Sequence, residues 1–329
     1  MVFSGPGLDE RLLASLREAT GEYLSGSLLS QRLRVSPGFI HQEVSELRKQ
    51  GYEIEGHPHL GYRLISSPDL LLSQEIRHGL QTATMARRVL SYRRVRSTNE
   101  VALQIAHNGA PEGTLVVAES QTAGKGRLGK TWYSPPGVGL WFSLVLRPHM
   151  ESSKVFQLAI CGALAVAEAL YQRTHLPVRV KWPNDVLIRG KKLAGVLTET
   201  QADGDLVQLV ILGIGINVNQ GVDDFPEDLR DKATSVRAEL GRSISRLNLL
   251  QDVLMEFEER YQKFQERGLT PFLERWRQLS WILNRRVRVQ VGGRWFSGLA
   301  VDIEDTGALV LEEASGKRQR LLAGDVSFQ

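Results

Sequence analysis

Val178-Arg-Val-Lys181-Trp-Pro-Asn-Asp185-Val-Leu-Ile-Arg189-Gly-Lys191-Lys-Leu-Ala-Gly195-Val-Leu-Thr-Glu199, running on through Asp203-Gly204-Asp205 to Leu206–Asn217, decides the fold. Apolar and β-branched residues predict strands at Val178–Trp182, Val186–Ile188, Leu193–Glu199 and Leu206–Asn217. Arg189-Gly190-Lys191 and Asp203-Gly204-Asp205 are turns that join consecutive strands with no helix between them. That favours an antiparallel or mixed sheet, hence α+β rather than a doubly wound α/β fold.

Upstream, strands are expected at Val89–Val95, Thr114–Glu119 and Leu140–Arg147, and helices at Glu100–His107, Val155–Gln172 and Leu247–Arg267. Before them, Leu8–Ala19 carries apolar residues at helical spacing, Ser27–Leu33 reads as a second helix, and Ser36 looks like an N-cap with Pro37 at the first helical position. That third helix ends at Gly51, and Tyr52–Leu64 reads as two strands around His57–Gly61. Three helices and a two-stranded wing make a winged helix-turn-helix. After Trp281 four alternating segments, Val287–Val291, Arg294–Ile303, Leu309–Glu312 and Lys317–Leu322, fit a small SH3-like β-barrel. The division is therefore 1–66, 67–280 and 281–329, with a linker at Ser66-Ser67-Pro68-Asp69.

The 329 residues are 42% hydrophobic and 24% charged, a globular balance that argues against disorder. No apolar run approaches the ~20 residues needed to cross a bilayer, and the first residues lack a basic region followed by an apolar core. A single cysteine, Cys161, excludes an internal disulfide and reads as a small buried hydrophobe. These features point to the cytoplasm. Net charge is +4, but it is spread along the chain and residues 1–66 hold seven Lys/Arg against eight Asp/Glu, so the whole protein is not a polyelectrolyte binder that neutralises many phosphates.

Gln121-Thr-Ala-Gly124-Lys125-Gly126-Arg127-Leu-Gly129-Lys130-Thr-Trp132 meets the dinucleotide-binding glycine spacing. Ser134-Pro135-Pro136-Gly137 blocks the helix that a Rossmann turn requires, and no acidic residue follows at the right place. Two readings remain: a loop that brings backbone N–H groups and three cations to an anion, or a solvated hairpin tip. Ser97-Thr-Asn-Glu100 reads as a polar ligand pocket and also as a capping box before an apolar helix, two readings that are compatible because a helix N-terminus can seat a polar ligand. Lys181-Trp-Pro-Asn-Asp185 reads as an anion site or a plain turn at a strand end.

Taken together and in order, Ser97-Thr98-Asn99, the glycine loop, Lys181-Trp182-Pro183-Asn184-Asp185 followed by Lys192-Leu193-Ala194-Gly195, and Gly213-Ile-Gly215-Ile-Asn217-Val218 resemble the motifs of biotin–protein ligases. The flanking segments resemble the bifunctional subclass, whose members also repress biotin synthesis genes. The resemblance implies a class II synthetase-like catalytic domain that makes biotinyl-5'-AMP from biotin and ATP with Mg²⁺. It then transfers biotin to a lysine of the biotin carboxyl carrier protein of acetyl-CoA carboxylase. It also implies operator DNA as a partner, with homodimerisation coupling two half-sites, and no membrane partner.

By the same resemblance Ser97, Thr98, Asn99 and Gln121 hold biotin's rings, while Lys125, Gly126 and Arg127 fold over biotin and the adenylate. Lys181 sits at the carboxylate and α-phosphate, and it and Arg127 are the catalytic pair. Trp132 and Asn217 line the pocket wall and the nucleotide side, and Gln220–Ala233 is expected to be a mobile stretch that meets the nucleotide. No dedicated protein metal site is expected.

The chemistry suits these types. A carboxylate attacking a phosphate brings two anions together, and fixed cations offset the repulsion. Biotin's head is neutral and polar, which calls for hydroxyl and amide groups that both donate and accept.

Three departures stand out. Lys125 replaces the usual arginine and loses the bidentate fork. Arg96 precedes Ser-Thr-Asn where an acid is common. The cluster Arg87, Arg88, Arg93, Arg94 and Arg96 matches no family role and reads as the solvated face of an alternating strand. On the recognition helix Ser36, His41 and Gln42 are the candidate DNA contacts, with Arg48 or Lys49 for phosphate. The alternative there is a domain that has drifted from DNA binding. Rival readings of the whole chain are a lipoate–protein ligase and a ligand-sensing transcription factor with an inactive ligase-like domain.

Overall fold

In the N-terminal unit, Leu12, Leu16, Leu29, Leu33, Ile40, Val44 and Leu47 turn inward from three helices and form a core. The helices are α1 (Leu8–Glu18), α2 (Gly26–Leu33) and α3 (Pro37–Lys49). Ser25 and Ser36 cap α2 and α3, their hydroxyls accepting from Leu28 N and Phe39 N. Such caps satisfy N–H groups that a helix start leaves unpaired. Gly51 (φ +98°) follows the end of α3, as expected. Antiparallel β1 (Glu53–His57) and β2 (Gly61–Ser66) complete the winged helix-turn-helix. A computed structural model describes residues 8–328 as two units divided after Leu70. The first seven residues, which bear on the expected lack of a leader, lie outside the described residues.

The second unit is built on a seven-stranded sheet in the order β3-β4-β5-β9-β8-β7-β6. Its strands are β3 (Val89–Tyr92), β4 (Leu115–Ala118), β5 (Gly139–Leu146), β6 (Val178–Lys181), β7 (Asp185–Ile188), β8 (Lys191–Asp203) and β9 (Leu206–Asn217). Only β3–β4 is parallel, so the sheet is mixed as the turn signals required. Helices α4 (Ser73–Arg77), α5 (Thr98–His107), α6 (Phe156–Thr174), α7 (Val236–Leu240), α8 (Arg246–Arg267) and α9 (Leu273–Leu279) surround it. Five strands, β10 (Arg286–Val291), β11 (Arg294–Ile303), β12 (Leu309–Glu312), β13 (Arg318–Leu321) and β14 (Asp325–Phe328), form a separate antiparallel sheet. Trp182 Nε1 donates to Gly307 O at 2.9 Å and Gln157 Nε2 to Thr306 O at 2.7 Å, tying the two sheets into one unit.

Several expectations need correction. β3 ends at Tyr92, so the arginines bracket a short strand rather than alternate along it. Short α4, α7 and α9 and the last strand β14 were not expected, being brief and framed by no strong periodicity. Ser152–Thr174 does reach membrane-spanning length and apolarity, contrary to the expectation, but every side chain from Gln157 to Leu170 is buried inside the unit. Cys161 lies on this helix, where burial pushes its thiol up to about 12, an inert buried hydrophobe as read.

Candidate active site

Gly195 on β8 pairs with Gly215 on β9, and Gly213 lies two residues away on the same face. A Cβ on Gly213 would come 2.1 Å from Asn99 Oδ1, and one on Gly215 would come 2.6 Å from Trp132 Nε1. A Cβ on Gly195 would come 3.1 Å from Trp132 Cζ3. Three bare backbone positions thus make a floor on which Asn99 and Trp132 lie. Over it opens a cavity of about 920 Å³. Ser97, Thr98, Asn99, Gln121, Lys125, Gly126, Arg127, Lys181, Trp132 and Asn217 all line it, so every ligand-binding residue expected from the sequence in this unit converges there.

One end is neutral and polar. Gln121 Oε1 accepts from Thr98 N at 2.8 Å and Thr98 Oγ1 at 3.1 Å, while its Nε2 donates to Ser134 Oγ at 2.9 Å. Gln121 therefore organises Thr98 as much as it faces a ligand. Ser143 Oγ lies 2.8 Å from Thr98 Oγ1 and 2.6 Å from Asn99 Oδ1. Asn99 Nδ2 donates to Glu199 Oε2 at 2.6 Å. The expected capping box at Ser97 is not formed: α5 starts at Thr98 with no side-chain cap bond, which leaves the buried Ser97 hydroxyl for a ligand. Trp132 Nε1 is buried and has no acceptor among the described residues. An indole N–H in that state needs a ligand oxygen or water.

The glycine loop is a hairpin. Lys125 pairs with Thr131, Gly126 N donates to Lys130 O at 2.7 Å, and Leu128 (φ 54°) and Gly129 (φ +74°) turn the tip. A Cβ on Gly124 would meet Trp132 O at 2.5 Å. The glycines thus serve close backbone approach within the hairpin, and Gly126 N–H is engaged there rather than held out for an anion. Arg127 Nη1 donates to Asn184 Oδ1 at 3.0 Å and Gly324 O at 3.3 Å. Lys130 pairs with Asp325 of β14. Burial alone would raise the Asp325 carboxyl, but Lys130, Arg127 and Lys181 hold it below the usual range.

Lys181-Trp-Pro-Asn-Asp185 distributes five tasks. Lys181 is half-buried, lines the cavity and has no hydrogen bond or ion pair among the described residues. Burial pushes its ammonium below the usual lysine range; Asp185 and Asp325 oppose that, and Lys192 and Lys130 add to it. Trp182 points away, to Gly307. Pro183 makes the turn. Asn184 holds Arg127 and donates to Val196 O at 2.7 Å. Asp185 Oδ1 faces Lys192 Nζ at 2.6 Å as an ion pair without hydrogen-bond alignment. Lys192 in turn stands 5.2 Å from the Trp132 ring centre.

Sequence reasoning missed Ser143, Glu199, Lys192 and Asp325 as members of the site. Ser143 had a signal: it is the one polar residue in Gly139–Leu146, all of which is buried. The stretch Gln220–Ala233 carries short 3₁₀ turns at Val222–Asp224 and Glu227–Leu229, and Phe225, Leu229 and Lys232 within it line the cavity. Asn217 anchors it, donating to Thr234 O at 3.0 Å and accepting from Gln220 Nε2 at 3.2 Å.

On the recognition helix α3, Phe39, His41 and Gln42 are exposed. Ser36 Oγ is occupied as the cap, and His41 Nδ1 lies 3.1 Å from Tyr62 OH. Arg48 bonds Ile54 O at 2.9 and 2.6 Å, and Lys49 pairs with Glu46 at 2.6 Å. The two cations offered for phosphate are thus engaged within the domain. Burial and then Asp9 and Glu46 hold the Glu43 carboxyl above its usual range.

Residues 91–217 match the Biotin/lipoate A/B protein ligase family, residues 282–329 the Biotin protein ligase C terminal domain, and residues 9–63 an HTH domain. The bifunctional ligase/repressor BirA of Bacillus subtilis (strain 168) is 41% identical over 98% of both chains. That of Escherichia coli (strain K12) is 31% identical over 97% of this chain and 96% of its own. Among solved structures, the Aquifex aeolicus biotin protein ligase in complex with biotin and ATP superposes with a TM-score of 0.64 at 33% identity, covering 73% of this chain and 98% of that one.

Proposed function

We propose the working of this site from one premise: the chain belongs to the biotin–protein ligase family, in its bifunctional form with an N-terminal helix-turn-helix. It is an ATP-dependent biotin ligase. The reading is carried by Lys181, a half-buried cation with no hydrogen bond or ion pair among the described residues, facing the same cavity as the neutral polar pocket of Ser97, Thr98 and Asn99. One end suits biotin's uncharged head and the other a carboxylate meeting a phosphate.

In the first step a biotin carboxylate oxygen attacks the α-phosphorus of ATP, the bond to the bridging oxygen breaks, and pyrophosphate leaves. Lys181, Lys192 and Arg127 offset the charge that gathers there, more strongly where water is excluded. In the second step a lysine amine of the biotin carboxyl carrier protein attacks the acyl carbon and AMP leaves. Among the described residues no group of three or more acidic, His or Cys side chains could form a metal cage. Mg²⁺ would enter on the phosphates of ATP and would neutralise the departing pyrophosphate.

The test is incubation with biotin, ATP, Mg²⁺ and a carrier domain, followed by intact mass. With biotin and lipoate supplied together, addition of one biotin is expected; addition of lipoate instead, or of neither, would sink the reading. For the N-terminal unit we infer operator binding through Ser36, His41 and Gln42, with exposed Phe39 beside them for thymine methyl contact. With Arg48 and Lys49 engaged, binding should be weak alone and depend on homodimerisation. A gel shift at low salt with biotinyl-5'-AMP checks this, and no shift would exclude repression.

A further inference from the structure

Asn99 is boxed on three sides. Gly213 lies beneath it, Ser143 Oγ sits 2.6 Å from its Oδ1, and Glu199 Oε2 sits 2.6 Å from its Nδ2. An ionised carboxylate is an acceptor only. Glu199 therefore fixes which end of the amide carries the nitrogen, and with it the donor and acceptor that Asn99 offers to a ligand. The second Glu199 oxygen, Oε1, faces Lys125 Nζ of the glycine hairpin at 3.5 Å. Glu100 Oε1 stands 3.3 Å from the same ammonium, and Glu100 also meets Arg96 at 3.4 Å. Lys125 in this arrangement rests on two carboxylates.

We propose that Glu199 is a positioning residue for biotin, one carboxylate that orients the Asn99 amide in the pocket and holds Lys125 of the hairpin through its other oxygen. The inference rests on reading the cavity as the biotin site. Pocket and hairpin are then set by one side chain. When Lys125 leaves for a ligand anion, Glu100 and Glu199 lose their shared cation. Glu199 then leans on Asn99 alone, and the charge-assisted bond to the amide strengthens. Lys125, with three rotatable donors on a flexible stem, exchanges partners more readily than the bidentate arginine it replaces.

The experiment compares Glu199→Ala, Glu199→Gln and Glu100→Gln in the full chain. ATP–pyrophosphate exchange gives KM for biotin and for ATP, and tryptic cleavage after Lys125, Arg127 or Lys130 reports the hairpin. Glu199→Ala should raise the biotin KM about tenfold, with less than about a twofold change for ATP, the scale of one lost hydrogen bond to a charged partner. Glu199→Gln retains an acceptor for Asn99 and should recover most of the biotin KM. It should still share the faster tryptic cleavage of Glu199→Ala, because Lys125 keeps only Glu100 of its two carboxylates. Glu100→Gln should speed cleavage and leave the biotin KM near the parent's. A parental biotin KM in Glu199→Ala, or equal KM values in the Ala and Gln variants, overturns the proposal. If the parent protein itself shows no biotin-dependent exchange, it is the assignment of the cavity that fails, not the role of Glu199.

Discussion

Gly213→Ala should weaken biotin binding while leaving ATP binding nearly intact. The added Cβ would lie 2.1 Å from Asn99 Oδ1 and 2.9 Å from its Cγ and Nδ2. Carbon and oxygen tolerate about 3.2 Å, so the amide must retreat by about 1 Å. It has nowhere to go without leaving Ser143 and Glu199, each now at 2.6 Å. A shift of that size takes both contacts to about 3.6 Å, outside hydrogen-bonding range. Two such losses at a buried amide cost about 2 kcal/mol after partial repair, or about a 30-fold rise in biotin KM.

Steady-state ATP–pyrophosphate exchange measures it, with KM for ATP and the melting temperature as internal controls. Gly204→Ala provides the comparison, since it sits at the tip of the β8–β9 hairpin with nothing within 4 Å of an added Cβ. Its only burden is a left-handed φ of +58°, which lowers stability without touching the cavity. A Gly213→Ala protein that melts normally and keeps a biotin KM within about twofold of the parent would falsify the floor argument, because the overlap would then have been absorbed without moving Asn99.

Lys181→Gln should lower pyrophosphate exchange by about a hundredfold or more while biotin still binds, because the cation at the reacting anions is gone; normal exchange refutes the role. Since burial holds the Lys181 pKa below the usual range, its charge is lost as pH rises through that lowered value, so exchange should fall on the alkaline side earlier than an ordinary lysine would cause. The same sign means the buried cation costs stability at neutral pH, so Lys181→Gln should melt no lower than the parent at pH 7. Arg127→Gly removes the ties to Asn184 and Gly324 and should speed dissociation of the adenylate about tenfold in a chase assay; unchanged retention counts against it. Arg246→Ala strands Glu119, 2.7 Å away, beneath a residue 1% exposed, and should destabilise the second unit by about 3 kcal/mol in chemical denaturation.

The legible part of the fold was the part governed by turns. Arg189-Gly190 and Asp203-Gly204 both carry left-handed backbone at the hairpins they predicted, and the mixed sheet followed from them. In the site, local motifs were legible because each keeps its residues on one short segment. What escaped were partners contributed from far along the chain. Glu199 reaches Asn99 across 100 residues, and Asp325 reaches Lys130 across 195. Neither position has local periodicity that marks it, since each is a charged residue on a strand, where a solvated face is the ordinary explanation. The capping box failed for a related reason. Glu100 meets Arg96 and Lys125, and opposite charge at close range prevailed over a local backbone bond.

The hairpin cations share one further property. Lys125 is answered by Glu100 and Glu199, and Lys130 and Arg127 by Asp325, carboxylates drawn from α5, β8 and β14. Without ligand the hairpin is therefore close to electrically balanced, although its own sequence is wholly basic. Bringing in a carboxylate and a triphosphate exchanges one set of anionic partners for another rather than satisfying bare charges. Such exchanges between partly exposed ion pairs change the free energy by about 1 kcal/mol each, small enough for the hairpin to move at little cost. Lys181 is the exception: among the described residues it has no hydrogen bond or ion pair to give up, only the longer-range attraction of Asp185 and Asp325, so most of its interaction with the reacting anions is available to the chemistry. That difference assigns the hairpin to holding and release and Lys181 to the reaction itself.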